Sequence, residues 1–273
     1  MRTTKQNALF TVLVFASAAC GCLPTDERPP PGTALFRVSG DDVPAGFMTD
    51  DGWLVRYDEA LIAIGNVNLF DDCTPYAEGH YVRVVDLLRM GPQKLTLVNA
   101  LGHCAFLFEV RSPPEDAVLG PGVTEAEKAF LRAPGSDPYV SNRAAVLHLA
   151  GAAERAGRTV RFAWSFRENL GYADCGVVNF DAETSALVDV RVRTASLFDA
   201  SEDPASPSSF EPFAAADADL DGTVTLEELD AVPLPNDPQY PTLGLRLYRK
   251  TARELPIVEG GQMPCKVGPF TEE

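Results

Sequence analysis

The chain has 273 residues, of which 45% are apolar, and this composition fits a globular protein with one large domain or two small ones. Its 39 acidic and 23 basic residues give a formal net charge of −16. A surface this acidic repels nucleic-acid phosphates and acidic lipid, so we exclude nucleic acid as a partner and expect the surface to suit cations.

The first residues have the pattern of a secretory signal peptide. Arg2 and Lys5 put positive charge at the start, and an uncharged run follows from Ala8 to Ala19. This run is too short to cross a bilayer and has the length of the apolar region of a signal peptide. We therefore expect residues 1–19 to be removed and the protein to be exported to the cell envelope.

The residues after this run resemble the lipobox of bacterial lipoproteins. Small residues precede Cys20, and in that family the cysteine becomes the lipidated N-terminus after cleavage. The resemblance implies a lipid anchor that attaches Cys20 to a bacterial membrane, with residues 20–33, rich in proline and polar residues, as a semi-rigid tether. Ser17 stands where the family usually has leucine, so cleavage by the ordinary signal peptidase and use of Cys22 are kept as alternatives.

Four further cysteines fit an oxidising compartment. Four cysteines in an exported chain usually form two disulfides, and they allow three connectivities. The most local of these pairs Cys73 with Cys104 and Cys175 with Cys265, and it is the pairing that we predict.

Residues 34–200 contain a series of segments rich in Val, Ile, Leu and aromatic residues, separated by Gly, Pro and Asp. Such segments are typical of strands, and their spacing predicts an antiparallel β-sandwich rather than an α/β sheet. Trp53 and Trp164 alternate with apolar residues and are predicted to pack in the core or on a sheet face rather than to form a sugar-binding platform. The sandwich resumes in residues 241–273, where residues 244–250 are interpreted as a strand.

The middle of the chain contains a helix and an ambiguous segment. Residues 124–132 are predicted to be helical, because Thr124 and Glu127 form a capping box. Residues 143–157 have the composition of a helix, but they also suit a strand and turn that lead into the alternating segment 158–167. We choose the hairpin.

Residues 201–240 shift in composition to Asp, Ser, Pro and Ala, and they indicate an insertion between neighbouring strands of one domain. Within it, the twelve residues "DADLDGTVTLEE" (Asp217–Glu228) resemble the EF-hand calcium loop. The resemblance implies Ca²⁺ as the ion, a sharp turn at Gly222 and a buried Val224 side chain. It implies oxygen ligands from Asp217, Asp219, Asp221, the Thr223 carbonyl, Thr225 through water and both oxygens of Glu228.

Short helices are expected on both sides of this loop. The entering helix has Ser208 or Ser209 as its N-cap and Pro212 in its first turn, and Pro233 should end the exiting helix. EF-hands normally pair, but the sequence contains one such loop. Because a lone loop has no partner loop to hold it, we expect modest affinity and a structural ion rather than a sensor.

Three functional hypotheses follow. The first is a non-catalytic, calcium-dependent binding or structural module whose protein or glycan partner the sequence does not identify. The second is a copper or zinc handling protein that uses His80, His103 and the cysteines, and it needs free thiols. The third is an enzyme with a site built from scattered acids. Neither G-x-S-x-G nor H-E-x-x-H occurs, so we favour the first. His148 is interpreted as a buried or edge histidine without a role.

Overall fold

The computed structural model describes residues 29–41, 46–199, 206–235, 237, 239–259 and 265–269. The predicted signal peptide, Cys20 and Cys22 lie outside these residues. From Pro31 onward the described residues belong to one compact unit. No helix in this part of the chain is long and apolar enough to cross a membrane.

The fold is mainly β, as predicted, and its strands form one curled sheet. The alternation in the sequence explains why. In the first strand every second residue is buried, so that Ala34, Phe36 and Val38 face the core. The strands are β1 (Gly32–Gly40), β2 (Phe47–Met48), β3 (Leu54–Phe70), β4 (Cys73–Ala77), β5 (Gly79–Asp86), β6 (Gln93–Val110), β7 (Val118–Leu119), β8 (Leu147–Arg155), β9 (Arg158–Phe166), β10 (Leu170–Ala173), β11 (Val177–Phe180), β12 (Ser185–Val192), β13 (Thr223–Val224), β14 (Pro256–Val258) and β15 (Lys266–Pro269).

Among the described residues, helices are few and lie mostly in the last third of the chain. The helices are α1 (Glu125–Arg132), α2 (Glu211–Ala214), α3 (Leu226–Ala231) and α4 (Leu243–Glu254), with one 3-10 helix (Thr194–Phe198). The predicted helix α1 is confirmed, including the capping box of Thr124 and Glu127.

The long strands β3 and β6 organise the sheet, whose central order is β13-β9-β8-β3-β6-β1-β12-β14. Their mutual register shifts between Gly65 and Asn68, and an irregularity of this kind bends a strand. We predicted antiparallel pairing, but β1 and β12 run parallel. A parallel neighbour requires a crossover connection, which local sequence patterns do not reveal. The described strands form one hydrogen-bonded network, and the two-layer sandwich stays a prediction.

The ambiguous segment forms the hairpin that we chose. Strands β8 and β9 pair antiparallel from Leu147↔Phe166 to Arg155↔Arg158. The two residues between them, Ala156 and Gly157, have φ values of 50° and 83°. A two-residue turn with both residues in the left-handed region matches the twist of the strands, so turn geometry and strand alternation outweigh the helical composition.

The predicted strand at residues 244–250 is wrong, because these residues belong to helix α4. Thr242 caps this helix through its side chain, which accepts a hydrogen bond from the Leu245 N–H. Leu243 and Leu247 are buried, one helical turn apart. Alternation over a few residues agreed with a strand, whereas the cap and the spacing of the buried residues favour a helix.

The segment around the acidic loop shares the core of the sheet. One hydrophobic cluster contains Trp53 and Trp164 together with Phe210 at the start of α2, Phe213 within α2 and Val224 of β13. Both tryptophans are fully buried, as predicted. The loop therefore lies between short elements that the main core fixes in place.

Candidate metal centre

The acidic loop connects α2 to α3 and curls through two residues with left-handed backbone. Leu220 has a φ of 61° and Gly222 a φ of 83°. A Cβ added at Gly222 would meet nothing within 4 Å, so backbone conformation, and not space, favours glycine there. The sequence predicted this role for Gly222. The left-handed backbone conformation of Leu220 was not predicted from the sequence.

Three of the predicted ligands converge in the curled loop. Carboxylate oxygens of Asp217, Asp219 and Asp221 all lie within 4.8 Å of one another. The loop backbone supports this arrangement, because the N–H of Gly222 donates to Asp217 Oδ2 (3.2 Å) and the N–H of Thr223 to Asp221 Oδ1 (2.6 Å). Like charges at this separation repel one another, so the arrangement favours a cation among them.

Asp217 carries the strongest sign of a ligand. The residue is only 6% exposed, and no donor among the described residues bonds its Oδ1. Buried polar atoms in folded proteins are almost always partnered, and a buried carboxylate oxygen without a partner is unfavourable. Because Oδ1 belongs to a carboxylate in the group of three aspartates, a cation bound there can supply the missing interaction.

Glu228 is held in a different set of contacts. Its Oε2 accepts hydrogen bonds from the N–H (2.9 Å) and hydroxyl (3.0 Å) of Thr225, and its Oε1 accepts from the N–H of Ala218 (3.1 Å). Burial raises the pKa of Glu228, but these hydrogen bonds outweigh it, so the pKa lies below its usual value. The residue forms the capping box of α3. Its place in the ligand set stays a prediction, as do those of Thr223 and Thr225.

The helices beside the loop agree only partly with the sequence. Pro212 lies in the first turn of α2, and α3 ends at Ala231, before Pro233, as predicted. The predicted serine N-cap is wrong, because Phe210 is the N-cap residue of α2 and makes no side-chain capping bond.

A distant carboxylate replaces that cap. Asp51, in the turn before β3, accepts hydrogen bonds from the Ser209 hydroxyl (2.6 Å) and the Glu211 N–H (2.8 Å). Sequence reasoning missed this contact because Asp51 lies 160 residues before Glu211, and no local signal connects the two.

The four cysteines predicted to form disulfides and the two histidines of the copper or zinc hypothesis, His80 and His103, make separate contacts. Cys73 pairs with Cys104 and Cys175 with Cys265, as predicted. The disulfides remove the thiolate ligands that the copper or zinc hypothesis requires. His103 Nδ1 lies 2.5 Å from Asn179 Oδ1 and His80 Nε2 lies 3.6 Å from Glu78 Oε2. Within the described ranges, the three aspartates are the one group of three or more potential ligands that converges.

His148 lies on strand β8 and is buried, as predicted. Burial, with a smaller contribution from Arg167, lowers its pKa to about 4. Its Nδ1 lies 2.8 Å from the Ser165 hydroxyl, and its Nε2 lies 4.0 Å from Glu59 Oε2. The imidazole is therefore neutral at pH 7.

Comparisons with protein-family models, with curated proteins and with solved structures find no match to this chain.

Proposed function

We propose that the protein is a calcium-binding, non-catalytic module of the cell envelope, in which the loop Asp217–Glu228 binds one Ca²⁺. The observation that carries the proposal is the buried Asp217 Oδ1, which has no donor among the described residues and belongs to a group of three carboxylates. A doubly charged cation would give that oxygen a partner and would neutralise the repulsion within the group.

The donor set favours calcium over other common metal ions. The group contains oxygen atoms alone, which suit hard cations, and the described cysteines are bonded to one another. Ca²⁺ accepts six to eight oxygens in flexible geometry, whereas Mg²⁺ demands a near-ideal octahedron. Asp217, Asp219 and Asp221 would be the first ligands. Glu228 would complete the set by exchanging its contacts with Ala218 and Thr225 for the ion.

The ion would have a structural role. Residues on both sides of the loop already pack in the main core, so an ion here would stabilise the conformation of the loop that connects α2 and α3. It would stabilise the folded state, because a ligand that binds the folded form alone shifts the folding equilibrium by mass action.

Calcium titration of the purified protein tests the proposal directly. We expect calorimetry to give one site, and we expect saturating calcium to raise the melting temperature. Asp217→Asn should abolish both effects, because it removes the charge of the buried ligand. Asp116→Asn makes the same chemical change at an exposed position far from the loop in sequence and should leave both unchanged. A wild-type protein that neither binds calcium nor gains stability from it would refute the proposal.

We also propose export and a lipid anchor at Cys20. The two disulfides support an oxidising compartment. Cell fractionation tests the anchor. Wild type should be in the membrane fraction and Cys20→Ala in the soluble fraction, while Cys22→Ala should behave as wild type. The reverse result for the two variants would assign the lipid to Cys22.

A further inference from the structure

The acidic loop, Asp217–Glu228, is hydrogen-bonded to the edge of the main sheet. Strand β9 pairs with β8 along one side, and its other side pairs in parallel with β13, which lies inside the loop. The paired residues are Thr223↔Arg161 and Val224↔Phe162. In addition, the N–H of Arg161 donates to the Gly222 carbonyl over 2.8 Å. The loop backbone is therefore fixed directly after its left-handed turn.

Trp164 provides a second connection from the same strand. Its indole N–H donates to the Val224 carbonyl over 2.9 Å, and both residues are fully buried. The Trp164 ring also lies 5.9 Å from the Phe213 ring of α2. The Trp164 side chain thus contacts both α2, which precedes Asp217, and Val224, which ends β13.

We propose that the edge of β9 acts as the missing partner of the single EF-hand-like loop, and that Trp164 is a positioning residue for calcium. This inference rests on the proposed calcium binding. The sequence alone indicated a lone loop with nothing to hold it and therefore modest affinity. Strand β9 and Trp164 hold that loop in its curled form before the ion arrives.

Preorganisation gives the physical reason for an effect on affinity. A loop that is already curled loses less conformational freedom when it binds, so more of the interaction energy appears as affinity. The group of three aspartates supports this view, because repulsion among their charges would open an unattached loop. The contacts of β9 and Trp164 oppose that opening without contacting the ion.

The substitution Trp164→Phe tests the inference, because it removes the indole donor and retains an aromatic ring. We expect the calcium dissociation constant to rise about fivefold, which corresponds to about 1 kcal/mol and to the loss of one hydrogen bond. Tyr172→Phe is the matched control. It deletes another buried donor to a backbone carbonyl, that of Ala252 at 2.7 Å, and it should leave calcium affinity unchanged. Melting temperatures in chelator measure the loss of stability that either substitution causes without calcium.

Calorimetry separates failure of this inference from failure of the proposed function. Absence of calcium binding in the wild type would overturn both. Binding in the wild type with an unchanged dissociation constant in Trp164→Phe would overturn the inference alone, as would equal weakening in Tyr172→Phe.

Tryptophan fluorescence provides a second readout that does not depend on the stability of Trp164→Phe. The chain has two tryptophans, so Trp53→Phe isolates the emission of Trp164. Because the loop is curled before the ion arrives, the emission maximum of Trp164 should be that of a buried indole already in chelator, and it should not shift when calcium is added. A calcium-dependent shift with the midpoint of the calorimetric titration would show that the contact forms only with the ion, and would overturn the inference.

Discussion

The carboxylate of Asp51 accepts a hydrogen bond from the backbone N–H of Glu211 over 2.8 Å, and so caps a helix that lies 160 residues further along the chain. The same carboxylate accepts bonds from the hydroxyls of Thr49 and Ser209. Because α2 leads directly into the acidic loop, Asp51 anchors the entrance of the proposed calcium site to the turn before β3.

We predict that Asp51→Asn lowers the free energy of unfolding by about 1 kcal/mol at pH 7, because the amide nitrogen that replaces one carboxylate oxygen cannot accept the hydrogen bonds that this oxygen accepts in the wild type. Burial raises the pKa of Asp51, but its hydrogen bonds outweigh burial and hold the pKa below its usual value. A group whose pKa is lower in the folded state stabilises it fully above the unfolded-state pKa of about 3.9, and this contribution disappears as pH falls towards the folded-state pKa.

Urea denaturation of wild type and Asp51→Asn from pH 7 to pH 3 measures this effect. The difference between the two proteins should shrink below about pH 4. Asp116→Asn, at an exposed carboxylate, provides the control for a general effect of removing one charge. A difference that is constant across the range would show that the carboxylate charge does not matter.

Glu228→Gln should separate the two roles assigned to that residue. A glutamine preserves a capping box, so stability in chelator should change by less than about 0.5 kcal/mol. Loss of the bidentate carboxylate should weaken calcium binding by about tenfold or more.

The chain supplies its own control for this substitution. Thr124 and Glu127 form the same capping box at α1 as Thr225 and Glu228 form at α3. Glu127→Gln should therefore have the same small effect in chelator and none on calcium affinity, measured by calorimetry. Equal calcium affinity in Glu228→Gln and wild type would exclude Glu228 as a ligand.

Gly222→Ala should destabilise the loop by about 1 kcal/mol, because an L-residue with a Cβ is disfavoured at positive φ. Gly157 in the β8–β9 turn has the same φ of 83°, and a Cβ would meet nothing within 4 Å at either position. Thermal denaturation in chelator should show similar losses for Gly222→Ala and Gly157→Ala. Calcium affinity should fall in Gly222→Ala alone, and an equal fall in both would argue against a special role for the turn in the loop.

Replacing each disulfide by two alanines should lower the free energy of unfolding. The cysteines are 31 residues apart in Cys73–Cys104 and 90 apart in Cys175–Cys265. Loop-closure entropy predicts losses of about 4 and about 5 kcal/mol, respectively. Denaturant titration of the two double variants measures these values. A thiol assay on denatured wild type should detect none of these four cysteines as free thiols, and free thiols there would reopen the transition-metal hypothesis.

The sequence by itself determined the local features of this protein. Alternation of apolar residues predicted the β-rich fold, and a Thr-x-x-Glu pattern predicted the start of α1. The spacing of the three aspartates and Gly222 predicted a curled acidic loop. Each of these depends on residues within one or two turns of one another, so a short stretch of chain contains the whole signal. The β8–β9 hairpin belongs to the same class.

Apart from the two predicted disulfides, the tertiary structure decided the contacts between distant segments. It assigned residues 244–250 to α4, where packing against the sheet favours buried residues one helical turn apart. It made β1 and β12 parallel neighbours and gave α2 its cap from Asp51. It also connected the acidic loop to β9, where the sequence had indicated a loop without a partner. Such contacts join residues 60 or more positions apart, as with Trp164 and Val224. They form because the collapsed core brings distant donors and acceptors together. Local sequence patterns do not indicate which groups will meet in this way.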